Sequence, residues 1–168
     1  MKLLLSLSAL LLSLLLFIQP AISQTKQQLK AEKELVQYLN TICKTHTANQ
    51  LSIDMGNIVQ PYDIKDGILS VVRKYKMQDD NSIVFVRSSV AIGNIEAVFY
   101  DYYVGFEAAN KSSVTEERAI NPNGTFEKAG STELMHVAPI DNSDEGPAVQ
   151  EKLMQLVNNV KAIYNKSR

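Results

Sequence analysis

Hydrophobic spacing in this chain changes period twice, and that change limits the folds open to it. From Thr25 to about His46, Leu35, Val36, Leu39, Ile42 and Cys43 recur at steps of three and four. Lys30, Glu32, Lys33, Glu34 and Gln37 fill the other face, so the segment reads as an amphipathic helix. Past Leu51 the period falls to two. From Val149 it returns to the helical value, with Leu153, Leu156, Val157, Val160, Ile163 and Tyr164 on one stripe. Acidic residues 141–145 and Pro147 precede this last segment, and Lys161, Lys166 and Arg168 close it, which is the polarity a helix dipole favours. A run of strands between two helices predicts an α+β domain. We expect an N-terminal helix, an antiparallel sheet of about five to seven strands and a long C-terminal helix packed on the sheet. Each helix has one apolar face, so each should lie on one side of the sheet. Burial there contributes about 25 cal/mol per Å² of apolar area.

The strands differ in how clearly they are marked. Leu51, Ile53 and Met55 alternate with polar neighbours and predict a short strand ended by Gly56-Asn57. Pro61 and Gly67 then bracket a connection. Over 68–77, Leu69, Val71, Tyr75 and Met77 keep one parity, and Arg73 interrupts that series with a charge. Asp79-Asp80-Asn81 is a turn cluster, and the unbroken apolar run 83–86 predicts a more central strand, hairpinned to the one before. The most β-like segment runs from Ala97 to Phe106. Val98, Tyr100, Tyr102, Val104 and Phe106 take one face, and Phe99, Asp101, Tyr103 and Gly105 the other. Strand character is weak near Val114. Asn121-Pro122-Asn123-Gly124 predicts a tight hairpin, and a final strand spans Glu133 to Ile140.

The leader addresses the chain. Lys2, an apolar run from Leu3 to Ile18, Pro20 and the small residues Ala21 and Ser23 have the order of a secretory signal. The run is short for a membrane span. Residues 1–23 are therefore expected to be removed, leaving 24–168 as one secreted or periplasmic domain with no membrane span. Cleavage takes the formal net charge from -1 to -2, because Lys2 is the only charge lost. Such a balance offers no basic face for nucleic acid. Cys43 is the only cysteine, so the domain has no internal disulfide and must be held by its core. Its place on the apolar stripe of the first helix predicts a buried thiol.

Reactive constellations are absent from the sequence pattern. His46 and His136 are far apart and lie in no HExxH or paired-Cys frame, so no metal and no cofactor is expected. The acidic clusters 79–81 and 141–145 lack the spacing of a calcium loop. No GxSxG elbow occurs, and Cys43 lies where a thiolate is disfavoured. The local concentration that remains is Phe99-Tyr100-Asp101-Tyr102-Tyr103. Aromatics pair across strands, and packing accounts for most of it. Where Phe99, Asp101 and Tyr103 share the face away from the helices, together with His136 they would make a binding surface.

The succession of leading helix, central antiparallel sheet and closing amphipathic helix resembles small secreted bacterial proteins of unknown function, and that resemblance implies no activity. A curved sheet closed by a C-terminal helix is similar to pleckstrin-homology-like folds. The functional expectation is a secreted or periplasmic non-enzymatic domain that binds a protein partner or small ligand. The alternative is a small extracytoplasmic hydrolase with a site dispersed in sequence, its base being His136 or His46. A third reading is an apolar-ligand carrier with a cavity between sheet and helices.

Overall fold

Lys26–Thr45 forms helix α1 in the computed structural model, which describes residues 26–46, 55–140 and 144–166. Eight strands follow: β1 Asn57–Lys65, β2 Ile68–Lys76, β3 Ile83–Ala91, β4 Ile95–Asp101, β5 Tyr103–Ala108, β6 Val114–Ala119, β7 Glu127–Thr132 and β8 Leu134–Pro139. Gly146–Lys166 forms the closing helix α2. The α+β class holds, with antiparallel pairing throughout, but the strands exceed the expected five to seven and divide between two sheets. One has the order β1-β2-β3-β6-β7 and the other β4-β5-β8. A 3-10 turn at Ile92–Asn94 carries the chain from the first sheet to the second.

Three departures from the sequence reading have physical causes. The connection expected between Pro61 and Gly67 is instead part of β1. Proline cannot donate to a ladder, and it is tolerated here because β1 is an edge strand with register shifts around Gln60. Asp66 and Gly67, both at positive φ, then make a two-residue hairpin into β2, with Lys65 opposite Ile68. The strand expected over 97–106 breaks at Tyr102, which takes a left-handed φ of 56°, and the chain folds back as β4 and β5. Val98, Tyr100, Val104 and Phe106 still share a face, because the turn is centred on one residue and so preserves parity. Tyr102 alone leaves that face and is 69% exposed. The hairpin expected at residues 121–124 is present, joining β6 to β7 with Arg118 opposite Glu127, but the polar strand β7 has no alternation of its own to mark its extent. The expected strand at 51–55 falls almost wholly on residues outside the description, and Met55 is in a turn.

The helices pack on each other as well as on the sheets. Leu35, Leu39 and Ile42 of α1 join Leu153, Leu156, Val157 and Val160 of α2 in one buried cluster with Leu69, Val71, Val98, Val104, Phe106 and Met135. Fully burying a side chain of this size contributes roughly 1.5–3 kcal/mol. Helix side chains also satisfy exposed strand edges. Asn40 of α1 donates through Nδ2 to the carbonyl of Tyr62 (3.0 Å) and accepts from the Tyr62 amide (2.9 Å), which imitates a neighbouring strand along β1. Gln150 and Lys161 of α2 donate to the carbonyls of Val98 (2.6 Å) and Ile95 (2.7 Å) along β4, the edge of the smaller sheet. The Asn40 bonds fix α1 beside β1, and the Cys43 thiol, 3.4 Å from the Val137 carbonyl, ties the same helix to β8; the larger hollow described below lies at that junction.

Candidate functional site

A strand irregularity lies beside the C-terminal half of α1. In the β5–β8 ladder, Val104 faces Ala138 and Gly105 faces His136, so Val137 is an extra, bulged residue. A bulge leaves a carbonyl outside the ladder. The Val137 carbonyl is taken by two side chains: Arg73 Nη2 donates at 2.8 Å and the Cys43 thiol at 3.4 Å. The same Nη2 donates to the Tyr62 hydroxyl (3.1 Å), which in turn donates to the carbonyl of His136 (3.4 Å). Arg73 also lies over the Tyr62 ring, 5.8 Å from its centroid.

Arg73 is 5% exposed, and none of its bonds goes to a carboxylate. Burying a guanidinium against neutral partners is costly. The acidic groups that act on it most are Tyr62, Tyr75 and Cys43, all neutral at pH 7, and Glu116 lines the smaller of its two hollows. Nη2 does all the bonding seen among the described residues, leaving Nη1 and Nε. Among those residues, Ser113 Oγ is the one side-chain polar atom both sealed from solvent and unpaired. The remaining N–H groups of Arg73 have no hydrogen-bond partner among the described residues.

Arg73 forms part of the wall of two hollows. The larger, about 570 Å³, lies between α1, β1 and β8 and is lined by Cys43, Ile58, Val59, Pro61, Val137 and Pro139, with Asn40, Lys44 and His46 among its polar residues. Its volume is typical of small-molecule sites, ~300–1,000 Å³. No described lining residue is acidic. The smaller hollow, about 150 Å³, lies between the sheets and is lined by Arg73, Tyr75, Ser88, Glu116, Leu134 and His136 among others. Residues 47–54, which join His46 to Met55 at the larger pocket, lie outside the described residues. Cys43 is buried, and its thiol is pushed up to about 11, first by burial, against the lowering effect of Arg73. A thiol so placed is a poor nucleophile near neutral pH.

The structure brings together three of the four residues read from the aromatic segment. The His136 ring meets Phe99 edge-on, with centroids 5.3 Å apart, and Tyr103 likewise at 5.6 Å. Gly105 makes this possible. It lies between Phe99 and His136 in the ladder, and a Cβ there would meet Phe99 Cζ at 2.5 Å and the Met135 carbonyl at 2.8 Å. The Phe99 ring thus crosses a bare backbone to reach the imidazole. Asp101 is exposed at the end of β4, opposite Tyr103, and has no ion pair among the described residues. His46 ends α1 with Nε2 at 4.0 Å from Glu145, far from this group in the fold's other hollow. Among the described residues no three His, Cys, Asp or Glu side chains gather as metal ligands would. Asp80 accepts from the Ser82 amide (2.8 Å) and so builds the β2–β3 turn. No described helix is long and apolar enough to cross a membrane.

The imidazole of His136 is held below its usual range, first by the water that the neighbouring groups exclude and second by the cation of Arg73. A base with a lowered folded pKa gives stability that is complete above the unfolded value near 6.5 and is lost as pH falls through that region. We expect the melting temperature to decline between pH 7 and pH 5, and the decline to be shallower in His136→Gln. Equal slopes in thermal melts of the two proteins would refute this.

Arg73 is the residue the sequence reading missed, although the signal was present: it interrupts the apolar parity of β2 with a charge. Compared with protein-family models, curated proteins and solved structures, the chain matches none.

Proposed function

We propose that this chain is a secreted or periplasmic, non-enzymatic domain that binds a small ligand in the pocket between α1, β1 and β8. The observation that carries the reading is Arg73, a buried cation in the wall of a mainly apolar 570 Å³ cavity whose described hydrogen bonds go to neutral oxygens alone. Proteins seldom keep such a group unless something compensates it, and a bound ligand would. The export address rests on the leader. The exported protein should begin at Gln24, and N-terminal sequencing checks this.

Ligand binding is tested with N-phenylnaphthylamine, a neutral apolar fluorophore. We expect saturable binding with one site per chain. Val59→Trp, at a 40% exposed position in the pocket wall, should abolish it while leaving the circular dichroism spectrum unchanged. A signal that does not saturate, or that survives Val59→Trp, would count against the pocket.

One observation favours the hydrolase reading. His136, Glu116 and Ser88 line the same small hollow, so a base, a carboxylate and a hydroxyl converge there. No hydrogen bond joins Ser88 to His136 or His136 to Glu116 among the described contacts, and a nucleophile needs the first of these at least transiently. Turnover of p-nitrophenyl acetate that disappears in Ser88→Ala would establish the hydrolase.

A further inference from the structure

We propose that the ligand of the large pocket is an amphipathic carboxylate: an unbranched or compact apolar body ending in one carboxylate that sits on the spare N–H groups of Arg73. The inference rests on the ligand-binding reading above and adds the chemistry of the head group and its place. Four observations carry it. The described lining contains Arg73 and Lys44 as cations, His46, and no acid. Arg73 is 5% exposed, so any charge that meets it does so out of bulk water, where a charge-assisted bond is strongest. Its Nη2 is already occupied by the Val137 carbonyl and the Tyr62 hydroxyl, which hold the guanidinium plane in place and leave the N–H groups of Nη1 and Nε, on either side of Cδ, to bind singly. The rest of the wall is apolar, with Ile58, Val59, Pro61, Val137, Ala138 and Pro139 supplied by β1 and β8.

The geometry assigns one head group per site. A guanidinium is a planar, permanent cation, and with Nη2 engaged it meets one anionic oxygen through Nη1 or Nε rather than two through a fork. A cationic head group would face the Arg73 guanidinium, whose described hydrogen bonds go to neutral oxygens alone. A neutral head group would bring no charge to the guanidinium.

Binding of dodecanoate, dodecanol and dodecylamine to the mature chain, each below its micellar concentration, tests the assignment by isothermal titration calorimetry. Dodecanoate should bind at least tenfold more tightly than dodecanol, and dodecylamine should bind more weakly than either. Arg73→Met should erase the preference for dodecanoate and leave dodecanol binding within about threefold of the starting value. Lys44→Met should reduce the preference only in part. If dodecanol matches dodecanoate in the unaltered protein, the head-group assignment falls while the pocket stands. If Lys44→Met rather than Arg73→Met erases the preference, the anion sits at Lys44 and the assignment to Arg73 falls. If N-phenylnaphthylamine and all three amphiphiles fail to bind, the pocket reading itself falls. A second measurement covers the case in which Arg73→Met does not fold. Bound dodecanoate labelled at its carboxyl carbon should titrate in NMR at a lower pH than the free acid, and titration at the same or higher pH overturns the proposal.

Discussion

Gly146→Ala is expected to destabilise the protein by about 3 kcal/mol, in the direction opposite to helix propensity. Gly146 is the first residue of α2 and is buried. Within a helix, alanine is favoured over glycine by about 1 kcal/mol, so propensity alone predicts a gain. Space decides otherwise. A Cβ on Gly146 would overlap Cζ, Cε1 and Cε2 of Tyr100, whose ring lies against the bare Cα. Tyr100 packs beside the core from β4, and α2 is tied to β4 through Gln150 and Lys161, so neither partner can retreat without disturbing the other. Chemical denaturation of Gly146→Ala, Tyr100→Leu and the double variant checks the cause. The double variant should lose less than the two single losses combined, because removing the ring removes the overlap. Additive losses, or a stable Gly146→Ala, would contradict the packing account.

This contact illustrates which parts of the fold could be read from residues alone. Both helices have a single apolar stripe and strong spacing, and their limits came within a few residues of those found. Apart from Tyr102, the two faces of the 97–106 segment were also sorted as the structure has them, even though the chain turns back in the middle. A reversal centred on Tyr102 pairs residues whose numbers differ by an even amount, so parity survives it. Tyr102 gave no turn signal, since a tyrosine at positive φ is rare and is favoured by no local preference. β7 was illegible for a different reason. Its Glu-Lys-Ala-Gly-Ser-Thr sequence is polar and mostly exposed at the end of a sheet, so burial leaves no alternation to read. Pro61 disguised β1, since its tolerance there depends on β1 having a free edge, a fact of topology.

The site was half visible. Phe99, Tyr103 and His136 could be grouped because strand parity placed the first two on one face. The large pocket could not be assembled, because its walls come from α1, β1, β2 and β8, and no local pattern links Cys43 to Val137 across 94 positions. The bulge that frees the Val137 carbonyl leaves no mark in the sequence either. Arg73 was legible as an anomaly, a charge in an apolar series, and such an anomaly in a strand points to a buried polar contact or a ligand.

The same cluster makes the protein sensitive to alkali in a way that can be assigned to residues. Burial pushes the Cys43 thiol up to about 11 from 9.0 and the Tyr62 hydroxyl up to about 12 from 10.0, and in each case the lowering effect of Arg73 is smaller than the burial. For an acid whose folded pKa is raised, the neutral form is the one the fold favours. Its contribution is complete below the unfolded pKa and is lost as pH rises toward the folded value. Two units correspond to roughly 3 kcal/mol for each group. Stability should therefore be level near pH 8 and fall between pH 9 and pH 12, first through Cys43 and then through Tyr62. Denaturant titrations across that range separate the two. Cys43→Val should remove the early part of the decline, between pH 9 and 11, because valine keeps an apolar side chain of similar size and has nothing to ionise. Tyr62→Phe should remove the later part and also lower stability near pH 8, since the hydroxyl links Arg73 to the His136 carbonyl. An alkaline slope unchanged in Cys43→Val would mean that the thiol is not sealed in the folded state, and the compact junction of α1, β2 and β8 around Arg73 would have to be abandoned.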